Sequence, residues 1–544
     1  MKILFVMASP EYLRFYDGTI QLLAARGHRV ALAVNARRDK KPVQLDGLAD
    51  QDGRIAAIGL VPERRGMWGS IAYGLRGLMD FSRYLHPRFA AAPALRARMK
   101  RKVLPRAFQA LDAIHTLGAT GTRLLLTALA ALERSIPGSR EVEAFLRAHD
   151  PDVVLVSPLV DAGSDQVDLV KAAQAFGVPV AVGIASWDNL TNKGLLRVQP
   201  DRVIVWNEVQ RLEAIEYHAT PSDRVVVTGA QPFDRWFERR PSSTREEFCA
   251  RVGLPAGRPY VLYTCSSSFI AISPAEVAFV RSWIAALRTH PATARLPVLV
   301  RPHPYNRAAW ETTDLLVLED VAVWPNRAYN PVEEDSRNGF FDSLYHSAAV
   351  VGINTSAMIE AAILGRPVLS MQTQEFAGTQ EGTLHFHYLL PENGGFLRVA
   401  STLDEHIEQL TDVLSRQDEV CAETVRFVSS FIRPHGLGVP CTPLIADAIE
   451  ALGRDAPRRA QTAPWWAPLL WPVVFAGGVY AGVWWVATDP KAIRSVRKKA
   501  GARLHRARKV LARAARVGVD RLSRRGTRAA RRWNRMFGAA AGRR

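Results

Sequence analysis

The sequence predicts an α/β protein of two lobes, each a parallel β-sheet wound with helices on both faces. Three observations predict it. A chain of 544 residues exceeds what one hydrophobic core can organise and divides into two or three domains. Short apolar runs alternate with helix-length stretches punctuated by Gly and Pro, the pattern of strands joined by crossover helices. The alternation is interrupted by a polar, charged stretch with Pro241 and Pro255, and then begins again.

In order, the first lobe (1–236) opens with a strand at 2–7, a loop at 9–17, a helix at 18–26 stopped by Gly27, and a strand at 29–34. Residues 1–9 read as a buried first strand, not a signal peptide. Their apolar run is short, and Pro10, Glu11 and Arg14 follow it in place of a small-residue cleavage site. The glycines here do not form GxGxxG, so a dinucleotide site is unsupported. From 64 to 138 the strand pattern stops. Helix-period apolar residues at 71–85 and 99–132, rich in Arg and Lys, predict an insertion of two or three helices. It is either a cap packed on the sheet or a basic amphipathic surface for anionic lipid.

Strands resume at 152–156, 179–184, 201–205 and 223–227, with helices at 167–176 and 208–218 between them. Asp161, Asp165, Trp187, Asp188, Asn189 and Asn192 fall on loops after strands, where ligands of such sheets bind. A linker is placed at 237–256, with a short helix near 244–252. The second lobe (257–455) has strands at 260–264, 297–301, 321–324, 350–353 and 367–371, and helices at 274–287, 342–347, 357–364, 403–414 and 417–432.

The net charge of +19 is local. Residues 491–544 hold 20 of the 71 Lys and Arg and one acid, Asp520, so the body before them is electroneutral. Residues 463–487 carry no charge and have tryptophans near both ends, as in membrane-contacting segments. Pro472 and Gly477–Gly478 favour a kinked, re-entrant or interfacial segment. The basic tail (488–544) then reads as a helix on anionic headgroups. Nucleic acid ranks below this, because aromatics are sparse among the cations and the lipid-seeking segment is adjacent. Four cysteines, Cys249, Cys265, Cys421 and Cys441, lack CxxC spacing. That argues against a disulfide framework or a zinc site and fits a reducing cytosol. The expected location is the cytoplasmic face of the inner or plasma membrane, peripheral or monotopic.

The chemistry concentrates in VVGINTSAMIEAAILGRPVLSMQ, residues 350–372. A strand passes into a helix through Asn354, Thr355 and Ser356, which supplies free N–H groups and short hydroxyls for a phosphate. Glu360, one turn on, is in reach of a ribose hydroxyl. An ordinary capped helix is the alternative.

INTSAMIEAAILGRPV (353–368), RPHP (301–304) and VVVTGAQPFD (225–234) resemble the GT-B superfamily of two Rossmann-like lobes. The nearer likeness is to the branch holding the UDP-N-acetylglucosamine 2-epimerases and the CDP-glycerol glycerophosphotransferases. The resemblance spans roughly 1–450. It implies that Glu360 holds the nucleotide ribose and that Thr355 and Ser356 hold phosphates. The epimerases' DSGG turn reads INTS here, and of the polymer-phosphate transferases' histidines only His303 finds a match.

The resulting expectation is a membrane-associated transferase. It takes a nucleotide-sugar or nucleotide-polyol donor and acts on an envelope or lipid-linked glycan acceptor, with neither cofactor nor metal. Donor contacts are expected from Asn354, Thr355, Ser356, Glu360, Arg301, His303, Ser266, Ser267, Gln380 and Glu381. An acceptor-side base is expected from Asp188 or Asp161, although Asp188 in SWDN also suits an Asx-turn. Gly378, Thr379 and His385 lie on a further loop that reaches the sugar or acceptor. A nucleotide-sugar epimerase or hydrolase is the second reading, and a non-catalytic membrane or nucleic-acid-binding protein the third.

Overall fold

The computed structural model describes residues 1–35, 53–271, 273–304, 306, 310, 313, 315, 318–325, 334–416, 422–456 and 459–488. Of the basic tail only Thr488 is among them.

The first sheet contains β1 (Lys2–Met7), β2 (Arg29–Asn35), β3 (Ile55–Val61), β4 (Val153–Ser157), β5 (Val180–Gly183), β6 (Arg202–Val205) and β7 (Val225–Val227). Its order is β3-β2-β1-β4-β5-β6-β7 and every pairing is parallel. The second contains β8 (Val261–Thr264), β9 (Val298–Arg301), β10 (Val321–Val323), β11 (Ala349–Gly352), β12 (Val368–Met371) and β13 (Arg398–Ala400). It runs β10-β9-β8-β11-β12-β13, again all parallel. The two doubly wound lobes expected from the sequence are the ones observed. Each central strand is buried on both faces, which is why it reads as an uninterrupted apolar run.

The insertion folds into helices Gly66–Ser82, Pro93–Val103 and Gly118–Ser135. Its best-placed cations face inward. Arg76 bonds Glu133 and Asp168, both at 2.9 Å, and Arg64 meets Asp168 at 2.7 Å. Burial alone would push the Asp168 carboxyl up, but the two guanidiniums hold it well below its ordinary range. Arg83 donates to the carbonyls of Leu190, Thr191 and Gly194, and so clamps the loop that carries Asp188. Of the two readings offered by the sequence, these contacts make the insertion a cap on the first lobe.

Two segments differ from the sequence assignment. Helix Arg245–Val252, placed in the linker, buries Phe248 and Cys249 in one core with Tyr260 and Leu262 of the second lobe. Thr244 and Glu247 close its start as a capping box. Helix Cys441–Asp455, assigned to the second lobe, packs Ile445, Ile449 and Leu452 against Ile3, Phe5 and Ile20 of the first. Asp234 anchors that return. It accepts bonds from Arg433 Nη2 (2.9 Å), Cys441 N (3.0 Å) and Thr442 Oγ1 (2.7 Å). Gly229, at φ +86°, lets the chains cross here, where a Cβ would lie 2.3 Å from Cys441 Sγ.

Helix Ala467–Thr488 matches the apolar segment. Ala467–Trp484 is the one stretch among the described residues long and apolar enough to cross a membrane. Near its start, Trp471 donates to Ser135 O at 2.9 Å, while Trp465 and Leu469 stay exposed.

Candidate active site between the lobes

A cleft of about 450 Å³ opens between the two sheets and is walled by both lobes. On the second lobe it lies where strand order reverses between β8 and β11. Thr264 ends β8, Cys265 and Ser267 follow it, and Asn354, Thr355 and Ser356 follow β11. A reversal of this kind leaves a crevice outside the strand ends because the two crossovers depart to opposite faces. The first lobe supplies Arg14 and Phe15 after β1, Ser186, Trp187 and Asp188 after β5, and Trp206 after β6.

At the second-lobe corner, the Asn354 side chain donates to Thr379 O at 2.9 Å and fixes the turn from behind. The Thr355 and Ser356 N–H groups have no acceptor among the described residues. Trp187 Nε1, from the opposite lobe, donates to Ser356 Oγ at 3.2 Å. Glu360 lines the same corner, and burial pushes its carboxyl up to about 8 although Arg14 and Arg301 pull it down. The Arg301 guanidinium lies over Trp324 at 5.1 Å and Phe340 at 4.8 Å, an aromatic seat that holds its charge toward the cleft. Burial, with Arg14 nearby, lowers the His303 imidazole to about 4, so it is neutral at pH 7.

On the first-lobe side, Asp188 accepts from Ser186 Oγ (2.7 Å), Asn192 Nδ2 (3.0 Å) and Asn189 Nδ2 (3.3 Å). Burial pushes this carboxyl up, but Lys193, His385 and those hydrogen bonds outweigh it and hold it at about 2. A carboxylate so stabilised is a strong anion and a poor proton acceptor. The expected base role does not suit Asp188. His385 suits it better. Its ring stands edge-on to Trp187, with centroids 4.7 Å apart, and its Nδ1 has no hydrogen-bond partner. Burial lowers it to about 4 while Asp188 pulls upward, so at pH 7 the imidazole is neutral.

The lining includes six arginines, Arg14, Arg98, Arg235, Arg239, Arg301 and Arg337, against two carboxylates, Asp188 and Glu360. An excess of fixed cations in a partly enclosed site selects an anionic ligand. Among the described residues no group of three or more His, Cys, Asp or Glu is arranged to hold a metal.

The structure brings Asn354, Thr355, Ser356, Glu360, Arg301, His303, Ser267 and Asp188 to one cleft. Four expected residues fall elsewhere. Asp161 is buried and pairs with Lys193 at 3.5 Å, so it serves as a counterion behind the wall. Ser266 is fully buried, and its N–H bonds Glu276 at 2.8 Å. Gln380 is also fully buried and donates to Ile353 O at 3.0 Å and Met371 O at 2.9 Å, which braces β11 and β12. Glu381 points outward and accepts from Gln372 at 2.6 Å. Sequence reasoning missed Arg14, Arg98 and the three arginines at 235, 239 and 337. Only Arg14, on the loop after the first strand, carried a readable positional signal.

No family model matches the chain, and no curated protein matches it. Among solved structures, a UDP-GlcNAc 2-epimerase from Neisseria meningitidis bound to UDP-GlcNAc is 13% identical, with 83% of this chain and 100% of that chain covered and a TM-score of 0.45. A putative UDP-N-acetylglucosamine 2-epimerase from Listeria monocytogenes is 12% identical, covering 85% and 99%, with a TM-score of 0.48. WaaG, a glycosyltransferase involved in lipopolysaccharide biosynthesis, is 14% identical, covering 82% and 99%, with a TM-score of 0.42. At such distances the chain's chemistry is read from its own cleft.

Proposed function

We propose that this protein is a metal-independent transferase. It moves a group from a nucleotide-sugar or nucleotide-polyol donor to an envelope or lipid-linked glycan acceptor. One observation carries the reading: Glu360 and the open Thr355–Ser356 turn share a cleft in which arginines outnumber carboxylates six to two. As the donor bond breaks, negative charge grows on the departing phosphate. Arg301, Arg14 and the two N–H groups are already oriented to stabilise it, so no reorganisation is needed at that moment. Glu360 takes a ribose hydroxyl. His385 accepts the acceptor's proton, and Asp188 stabilises the imidazolium that forms.

Residues 463–544 hold the enzyme to an anionic membrane at its cytoplasmic face, through the apolar helix and the cationic tail that follows it in the sequence. The test is calorimetric titration of the full chain with UDP, CDP, GDP and CMP compounds, repeated with Glu360→Ala. Binding of one nucleotide, lost in the variant, supports the reading; indifference to all of them overturns it. Turnover of a free nucleotide-sugar without any acceptor would favour an epimerase or hydrolase instead.

A further inference from the structure

We propose that the cleft holds a second anion subsite, formed by Arg235, Arg239 and Arg337, that takes a phosphate group in addition to the nucleotide's own. The proposal rests on the nucleotide reading above and extends it to the chemistry of the other substrate group.

The three arginines converge from separate elements. Arg235 lies on helix Asp234–Glu238, Arg239 directly follows it, and Arg337 comes from helix Glu334–Tyr345. All three line the cavity. Their compensation is incomplete: Asp17 is shared by Arg235 and, at 4.0 Å, by Arg337, while Arg239 pairs with Glu334. Glu334 is a weak counterion because its side chain is 69% exposed and screened by water. Among the described residues, three cations therefore face two carboxylates, one of them largely solvated. The crowding has an electrostatic signature. Burial and the neighbouring Arg337 and Arg239 lower Arg235 to about 10, so an arriving anion relieves a repulsion already present.

This group is distinct from the nucleotide corner. The three arginines pair with Asp17 and Glu334, whereas Arg301 is seated on Trp324 and Phe340. A nucleoside diphosphate held at Thr355–Ser356 uses Arg14 and Arg301 and leaves the three unspent. Forked guanidiniums arranged around one point match the oxygens of a phosphate better than a single carboxylate. The phosphate is carried either by the acceptor or by a second position on the donor nucleotide.

The full chain, saturated with the nucleoside diphosphate it binds best, is titrated with glycerol 3-phosphate. In a second arm, nucleotides with and without an additional 3′-phosphate are compared. Acceptor-borne phosphate predicts binding in the first arm, and donor-borne phosphate predicts tighter binding in the second. In either case the double variant Arg235→Gln, Arg337→Gln should lose the gain at least tenfold, and its affinity for the plain nucleoside diphosphate should fall by a clearly smaller factor. Asp17→Asn, which releases two of the guanidiniums, should strengthen phosphate binding severalfold, and a purely structural cluster would not respond in that way. No gain in either arm, or equal loss of plain nucleotide binding in the double variant, overturns the subsite. If Glu360→Ala leaves nucleotide binding intact while the phosphate gain persists, the nucleotide reading fails and the subsite stands.

Discussion

The indole N–H of Trp187 reaches across the cleft and donates to Ser356 Oγ at 3.2 Å, joining the first lobe's β5 loop to the second lobe's β11 turn. The bond leaves the Ser356 hydroxyl proton free to point at a ligand. Trp187→Phe keeps an aromatic ring beside His385 but removes the donor and part of a buried ring system. It should cost more than the about 1 kcal/mol that one neutral hydrogen bond is worth, because lost packing adds to it. Chemical denaturation with and without nucleotide measures this, and an unchanged midpoint would show that the contact does not link the lobes.

His385 is expected to act on the reaction and not on donor affinity. His385→Ala should lower kcat by about two orders of magnitude or more, the range of general-base contributions, with nucleotide binding unchanged. In wild type, activity should fall as pH drops toward about 4, where the ring gains its proton. A variant with full kcat would return the base role to another group.

Two acids, Glu276 fully buried and Glu360 half-buried at the cleft wall, set a stability trend with pH. Burial pushes Glu276, behind Ser266, and Glu360 up to about 8 each. The folded protein then binds more protons than the unfolded chain between the ordinary glutamate range and pH 8. Stability contributed by the neutral forms is complete below that range and is lost as pH rises through 8. Glu276→Gln keeps an uncharged acceptor for the Ser266 N–H, so its melting temperature should decline less than wild type from pH 5 to 9. Parallel declines would show that Glu276 stays ionised.

Catalysis should survive chelation. Because the cleft's cations are side chains, excess EDTA should leave initial rates unchanged, whereas Arg301→Ala should lower kcat. Removing one such stabiliser of developing charge typically costs about a hundredfold or more. A rate abolished by EDTA and restored by magnesium would reassign charge stabilisation to an ion.

Most strands were legible because burial on both faces writes an apolar run into the sequence, as in β1, β4 and β11. β3 and β13 were missed: both are edge strands, β3 largely unburied along its middle and β13 only three residues long from Arg398. In the cleft, position after a strand identified Arg301, Asp188 and Glu360 but not which way a side chain turns. Gln380 and Ser266 sit on the expected loops and face inward, a consequence of packing against β12 and Glu276. Arg235 and Arg337 lie about a hundred positions apart in the chain, and only the folded backbone brings them together.

The return of helix Cys441–Asp455 to the first sheet means that the first lobe is not a contiguous gene segment, because the second lobe is inserted within it. A protein ended after Ile432 would leave Ile3, Phe5 and Ile20 without their cover and Asp234 without the Cys441 and Thr442 amides. Swapping modules with a relative would have to exchange two separate stretches at once. Two covalent bridges also join the halves, so they can tilt about that pair of crossings but cannot drift apart.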